Sequence, residues 1–205
     1  MAMTLKVIVP PHPLIAHWLT VLRSSSTPSA LYSTGLEELG RWLTYEALRE
    51  WLPIRKESVK TNEGEAEGTL IESRIPLLSI ILLPGGLDLW EGGRKVLPNC
   101  QRCIDDVPKD IARNEGVIIY IDQIASGDRL KWTLELLKQQ NFESRRLRII
   151  TPLASNPGLK TLGEKFPDLT IYSASIDPEL TENGEIYPGI GNPFLRLNTR
   201  VIRPN

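Results

Sequence analysis

Apolar residues recur along this chain in two rhythms. Leu14, Ile15, Trp18, Leu19 and Leu22 fall at helical spacing on one face, after the strand-like run Leu5 to Val9 and the punctuation of Pro11 and Pro13. Leu36, Leu39, Leu43 and Ala47 repeat that spacing. Thr34 and Glu37 fit a capping box at the start of this second helix, Pro53 stops it, and the Ser, Thr and Pro-rich stretch 24–33 reads as a loop before it. Beyond a polar, Gly-containing stretch from Thr61 to Gly68 the rhythm changes. Compact apolar runs at 76–83, 116–121, 146–151 and 169–174 predict strands, and 87–97, 127–141 and 157–165 have helical length and spacing. Strands separated by helices run parallel with right-handed crossovers, so the expected fold is one doubly wound α/β domain over residues 1–205. Ligands of such sheets bind beyond the carboxyl ends of the strands, which points to the loops 84–88, 122–128, 152–156 and 175–196.

Composition narrows the partners more than the fold. With 205 residues, 41% hydrophobic, 24% charged and a formal net charge of −1, the chain has globular composition and no electrostatic footprint for nucleic acid. Its tight basic run, Arg145, Arg146 and Arg148, reads as a solvated helix-to-strand corner. The longest apolar run, Ile75 to Leu83, is too short to span a bilayer and contains Pro76, and the amino end lacks a secretory pattern, so a soluble compartment is expected. Cys100 and Cys103 form a lone C-x-x-C, read as plain loop cysteines, a redox pair or half a metal site. The metal reading is weak because the only histidines, His12 and His17, lie far away in sequence.

Residues Val117 to Trp132 combine a buried strand, a tight Ser126-Gly127 turn and the opening of a helix. Backbone N–H groups at such a turn cradle phosphates. Asp128 places a carboxylate in the same cup, where it repels a phosphate and competes for its donors.

The stretch Val9-Pro-Pro-His-Pro-Leu-Ile-Ala-His-Trp18, Leu22-Arg23 and Gly40-Arg-Trp-Leu-Thr-Tyr-Glu-Ala47 resemble the uracil phosphoribosyltransferases, most closely their cyanobacterial and plastid branch. The resemblance runs from about residue 7 to 199, with a shortened region near 99–115 where the family carries a long hairpin arm. It implies a phosphoribosyltransferase-type α/β fold with N-terminal helices and a C-terminal hood-like segment, and a place in pyrimidine salvage. It further implies transfer of ribose 5-phosphate from phosphoribosyl pyrophosphate (PRPP) to uracil, giving UMP and pyrophosphate, with magnesium and in an oligomer. An oxocarbenium-like ribose must then be positioned between a leaving pyrophosphate and the uracil nitrogen by anion donors and carboxylates.

Against the family pattern, the three loops that do this are altered. The pyrophosphate loop I-L-R-A-G-L-G-M falls on Leu82 to Leu89: Gly85 and Gly86 keep the turn, Pro84 replaces the arginine, and Asp88 replaces the later glycine. Proline supplies neither a charge nor an N–H to a pyrophosphate. The PRPP loop V-D-P-M-L-A-T-G-G-S falls without a gap on Tyr120 to Arg129, which keeps Ser126 and Gly127, puts Ile121 at the aspartate, Asp128 at the second glycine and Arg129 at the closing hydroxyl. A one-residue gap would instead restore the aspartate as Asp122; the ungapped correspondence keeps the turn in register and is favoured. The uracil loop falls on Asp177 to Arg196. Asp177, Leu180, Gly184, Ile186, Pro188, Gly189, Ile190, Gly191 and Arg196 match, so a uracil-facing backbone over 186–191, joined by the Arg196 side chain, is expected, whereas Asn192 and Leu195 replace aspartates and Phe194 replaces a glycine and is expected to plug the pocket.

Residues that meet ligand are lost while residues a fold needs are kept. The leading expectation is therefore a homologue without catalysis, reused as a binding, assembly or regulatory protein, with no cofactor, a protein partner and a homodimeric or heteromeric state in the cytoplasm or a plastid stroma. Trp18, Trp42, Trp51, Trp90 and Trp132 are candidates for an aromatic partner surface. The alternatives are an active enzyme, which alone would require magnesium, and a non-catalytic uracil or nucleotide sensor. In the first reading Cys100 and Cys103 would gate a loop by oxidation.

Overall fold

In the computed structural model, which describes residues 5–97 and 99–198, ten strands and six α-helices follow one another. They are β1 (Lys6–Ile8), α1 (Pro13–Arg23), α2 (Ser29–Leu48), β2 (Ile54–Lys60), β3 (Glu65–Ile71), β4 (Leu77–Ile81), α3 (Gly85–Gly93) and β5 (Cys100–Ile104). Then come β6 (Gly116–Tyr120), α4 (Asp128–Gln139), β7 (Leu147–Ser155), α5 (Asn156–Lys165), β8 (Thr170–Asp177), β9 (Glu179–Leu180), β10 (Ile186–Tyr187) and α6 (Pro193–Leu197). Six strands form one sheet in the order β1-β8-β7-β6-β4-β5, every pairing parallel, as the alternation of runs predicts.

Each face of the sheet buries a separate apolar cluster. Period-two alternation along β6 sends Ile118 and Tyr120 toward α1, α2 and α3, and Val117, Ile119 and Ile121 toward α4 and α5. The α2 and α3 helices cross at van der Waals backbone contact. A Cβ on Gly40 would collide with the Leu89 carbonyl and one on Gly92 with the Glu37 carbonyl, so both positions need glycine for packing.

Several expectations are corrected. The second helix begins at Ser29, five residues before Thr34, because fully buried Tyr32 anchors its first turn. Thr34 is no cap: its hydroxyl donates to Ala30 C=O at 3.0 Å, inside the helix. The polar stretch after Pro53 is a β2–β3 antiparallel hairpin with Ile54 opposite Ile71. The supposed loop 152–156 belongs mostly to β7, which continues through Pro152 to Ser155, where the Ser155 hydroxyl caps α5 by accepting from Gly158 N–H at 2.9 Å. Cys100 and Cys103 lie on the edge strand β5, not in a loop. They pack against opposite clusters, Cys100 on the α3 side and Cys103 on the α4 side, and so do not face one another as a redox pair would.

The basic run is only partly a solvated corner. Arg145 pairs with Glu143 at 2.6 Å, whereas Arg146 stacks on Phe142 and Arg148 on Trp51. Of the tryptophans, Trp90 is buried, Trp18, Trp42 and Trp51 are half-buried, and Trp132 on α4 is exposed. Among the described residues no helix is long and apolar enough to cross a membrane.

Candidate functional site

The three loops expected to form the site converge beyond the carboxyl ends of β4, β6 and β8. A cleft of about 200 Å³, lined by residues 121–130, marks the turn after β6.

Beside it, the 82–87 segment already has partners for all its backbone donors. Leu82 N–H donates to Tyr120 C=O at 2.9 Å, Leu83 N–H to Asp105 Oδ1 at 2.9 Å and Gly85 N–H to Asp122 Oδ2 at 3.3 Å. Gly86 N–H reaches Leu82 C=O at 3.1 Å and Leu87 N–H reaches Pro84 C=O at 3.3 Å, while Pro84 has no N–H. Packing explains why the two glycines persist. A Cβ on Gly85 would lie 2.7 Å from Asp122 Cβ, and one on Gly86 would lie 2.6 Å from the Tyr120 carbonyl.

Ile121 and Asp122 both line this cleft, but Asp122 is the one that bonds the 82–87 segment, at Gly85 N–H. Ile121 continues the Ile119 side of β6 and is buried against α4, so the ungapped correspondence is corrected in favour of the one-residue gap. Asp122 is 6% exposed, and its other oxygen accepts from Gln123 N–H at 2.9 Å. Burial pushes its carboxyl above the usual range, against the Gly85 hydrogen bond and the attraction of Arg129. Asp88, in the first turn of α3, is likewise raised by burial, and it accepts from Ser33 on α2 at 2.5 Å.

At the next turn Gly127 adopts φ +86°, a left-handed conformation that opens α4. Asp128 is turned onto this turn, accepting from Ser126 Oγ at 2.8 Å. Arg129 crosses the mouth of the cleft and pairs with Asp105 at 2.9 Å. Two carboxylates, Asp88 and Asp128, thus stand where the family pattern expects glycines, and two more, Asp105 and Asp122, accept from the backbone of the 82–87 segment. All four accept hydrogen bonds from within the chain, so the cleft resembles a cradle whose donors are taken up by its own side chains. Among the described residues no three His, Cys, Asp or Glu side chains gather as a metal site. With Asp122 turned to two amides and Asp128 to Ser126, the set does not fit a resident magnesium ion.

The hood is better preserved, but as structure. Asp177 accepts both Arg23 guanidinium nitrogens, at 2.8 and 2.6 Å, and Gly189 N–H at 2.9 Å; Arg23 also donates to Gly189 C=O at 2.9 Å. This clamp sets the turn between cis-Pro188 and Gly191, with Gly189 at φ +69° and Gly191 at φ +76°. Ile186 and Ile190 are buried, and Ile190 C=O accepts from Tyr32 and from Arg196. Arg196 also donates to Leu22, Ser24 and Thr27 carbonyls and lies 4.5 Å over the Tyr32 ring. It therefore ties the hood to the α1–α2 connection. Phe194 does not plug the pocket. It is 52% exposed because α6 turns its Pro193 side inward.

Comparisons with known proteins point to one family. The family model described as "Uracil phosphoribosyltransferase" matches residues 9–194. A uracil phosphoribosyltransferase of Synechococcus elongatus is 37% identical, covering 96% of this chain and 98% of its own. The chloroplastic uracil phosphoribosyltransferase of Arabidopsis thaliana is 35% identical, covering 91% of this chain and 68% of its own. Among solved structures, the AQ2163 protein from Aquifex aeolicus superposes with a TM-score of 0.82 at 26% identity, covering 97% of this chain and all of that one.

Proposed function

The chain belongs to the uracil phosphoribosyltransferase family, and we propose that it is a non-catalytic member whose fold serves as a binding, assembly or regulatory partner. One observation carries this reading: in the segment that would hold pyrophosphate, each backbone donor from Leu82 to Leu87 already has an internal acceptor, two of them carboxylates. The family's arginine is Pro84, and the nearby cation Arg129 is itself paired with Asp105. Neither cofactor nor magnesium is required on this reading, and its site of action is the cytoplasm or a plastid stroma. Incubation with uracil, PRPP and magnesium tests it: no UMP is expected, and steady UMP accumulation overturns it.

The β2–β3 hairpin supports the assembly half of the proposal. Both its faces are largely exposed, with Ile54 at 62%, and a lone two-stranded ribbon is marginal in water unless something covers it. A homodimer clasped by two such arms is the expected state. Replacing residues 57–68 by a Gly-Gly turn should convert a dimer into a folded monomer in light scattering. A monomeric parent protein, or a variant that stays dimeric, contradicts the arm's role.

A further inference from the structure

The mouth of the cleft holds an unusual convergence. Leu83 N–H and Arg129 Nη2 both donate to one oxygen, Asp105 Oδ1, each at 2.9 Å. A backbone N–H and a guanidinium aimed at a single oxygen form a two-donor oxyanion site, charge-assisted on one side. The oxygen they hold belongs to the chain itself.

Asp105 reaches this position from the residue directly after β5, with φ +50°, where a left-handed backbone favours Gly or Asn. Its own N–H donates to Ile81 C=O at 2.8 Å, which fixes the loop against β4. Asp105 and Arg129 are both about half-exposed, at 45% and 42% for the side chains, so the pair lies at the rim where an incoming group has access. Solvent competes with such a pair, and its net contribution to stability is small. Other charged groups on this rim are Asp128, which is engaged with Ser126, and Asp122, which is buried behind Gly85.

The geometry points to Asp105 as an intramolecular anion that closes a latent oxyanion site made by Leu83 N–H and Arg129. The ligand class is a small oxyanion, meaning a phosphate or carboxylate group presented by a molecule or a partner that displaces Asp105. This rests on the reading that the cleft is closed by its own carboxylates, and it adds that one of them is removable without dismantling the fold.

Inorganic phosphate is the probe. The full chain and its Asp105→Gly variant, which suits the left-handed backbone, are titrated while the Leu83 amide is followed by 1H–15N NMR. The variant should show a saturable Leu83 shift and bind phosphate at least about tenfold tighter than the parent, Asp105→Asn should fall between them, and adding Arg129→Gln to Asp105→Gly should abolish the gain. A folded Asp105→Gly or Asp105→Asn protein with no gain overturns the inference, as does a gain that survives Arg129→Gln. Turnover by the parent protein would instead overturn the non-catalytic reading, so the two failures are distinguishable.

Discussion

With saturating uracil, PRPP and magnesium, the chain should form UMP at least about 10⁴-fold more slowly than a family enzyme that keeps the arginine and both aspartates. Removing one preorganised donor from a developing anion costs roughly 2.7–4 kcal/mol, or about 10²–10³ in rate. Pro84 removes one such group and cannot substitute even an N–H. Asn192 and Leu195 remove two carboxylates from the hood loop, and Asp128 adds a negative charge at the cradle. Such losses are not additive, but two independent ones already reach the stated factor. Labelled uracil followed into UMP, with the Synechococcus elongatus relative as the standard, measures it. Turnover within 100-fold of that standard, and abolished by Asp122→Ala, would show a remodelled working site.

Asp177→Ala should lower the unfolding free energy by about 3 kcal/mol, near the low end for a broken buried ion pair because Arg23 keeps 27% of its side chain in solvent. The variant leaves Arg23 and the Gly189 N–H without their shared carboxylate, so the hood turn loosens with it. Burial alone would raise the Asp177 carboxyl, but hydrogen bonds from Arg23 and Gly189 outweigh burial and hold it below the usual range. A carboxyl whose folded value is depressed contributes stability above the unfolded value of about 4, and that contribution disappears as pH falls through the folded value. Urea unfolding of parent and variant should therefore differ most near neutrality and converge below about pH 4. A difference that persists unchanged into acid would assign the effect to packing instead of charge.

The parallel sheet was legible because buried strands such as 117–120 are unbroken apolar runs bounded by turn residues, and because α1 presents Ile15, Leu19 and Leu22 at helical spacing. The β2–β3 hairpin was not. Its strands carry Arg55, Lys56, Glu57, Glu65 and Glu67 with no buried face, so neither rhythm marks them. The edge strand β5 is obscured in the same way by half-exposed residues. Thr34 and Glu37 show how a local motif misleads: the spacing is that of a capping box, yet buried Tyr32 draws the helix start upstream.

At the site, the substitutions at Pro84 and Asp128 were readable directly, but their consequence was not. Asp105 carries no local signal because its partners, Leu83 and Arg129, are 22 and 24 residues away and meet it once β4 pairs in parallel with both β5 and β6. The side of β6 on which Asp122 lies could have been found by counting alternation from Tyr120, a signal outweighed by keeping the Ser126-Gly127 turn in register. Arg196 matched the family and looked like a ligand contact. Its four carbonyl acceptors and Tyr32 give it a structural role that no motif reveals.

Calorimetric titration of the purified protein with PRPP in magnesium decides whether the donors of the 82–87 segment are closed to a ligand by the chain's own carboxylates. No saturable heat is expected up to millimolar PRPP; stoichiometric binding in the micromolar range would show that those donors remain open.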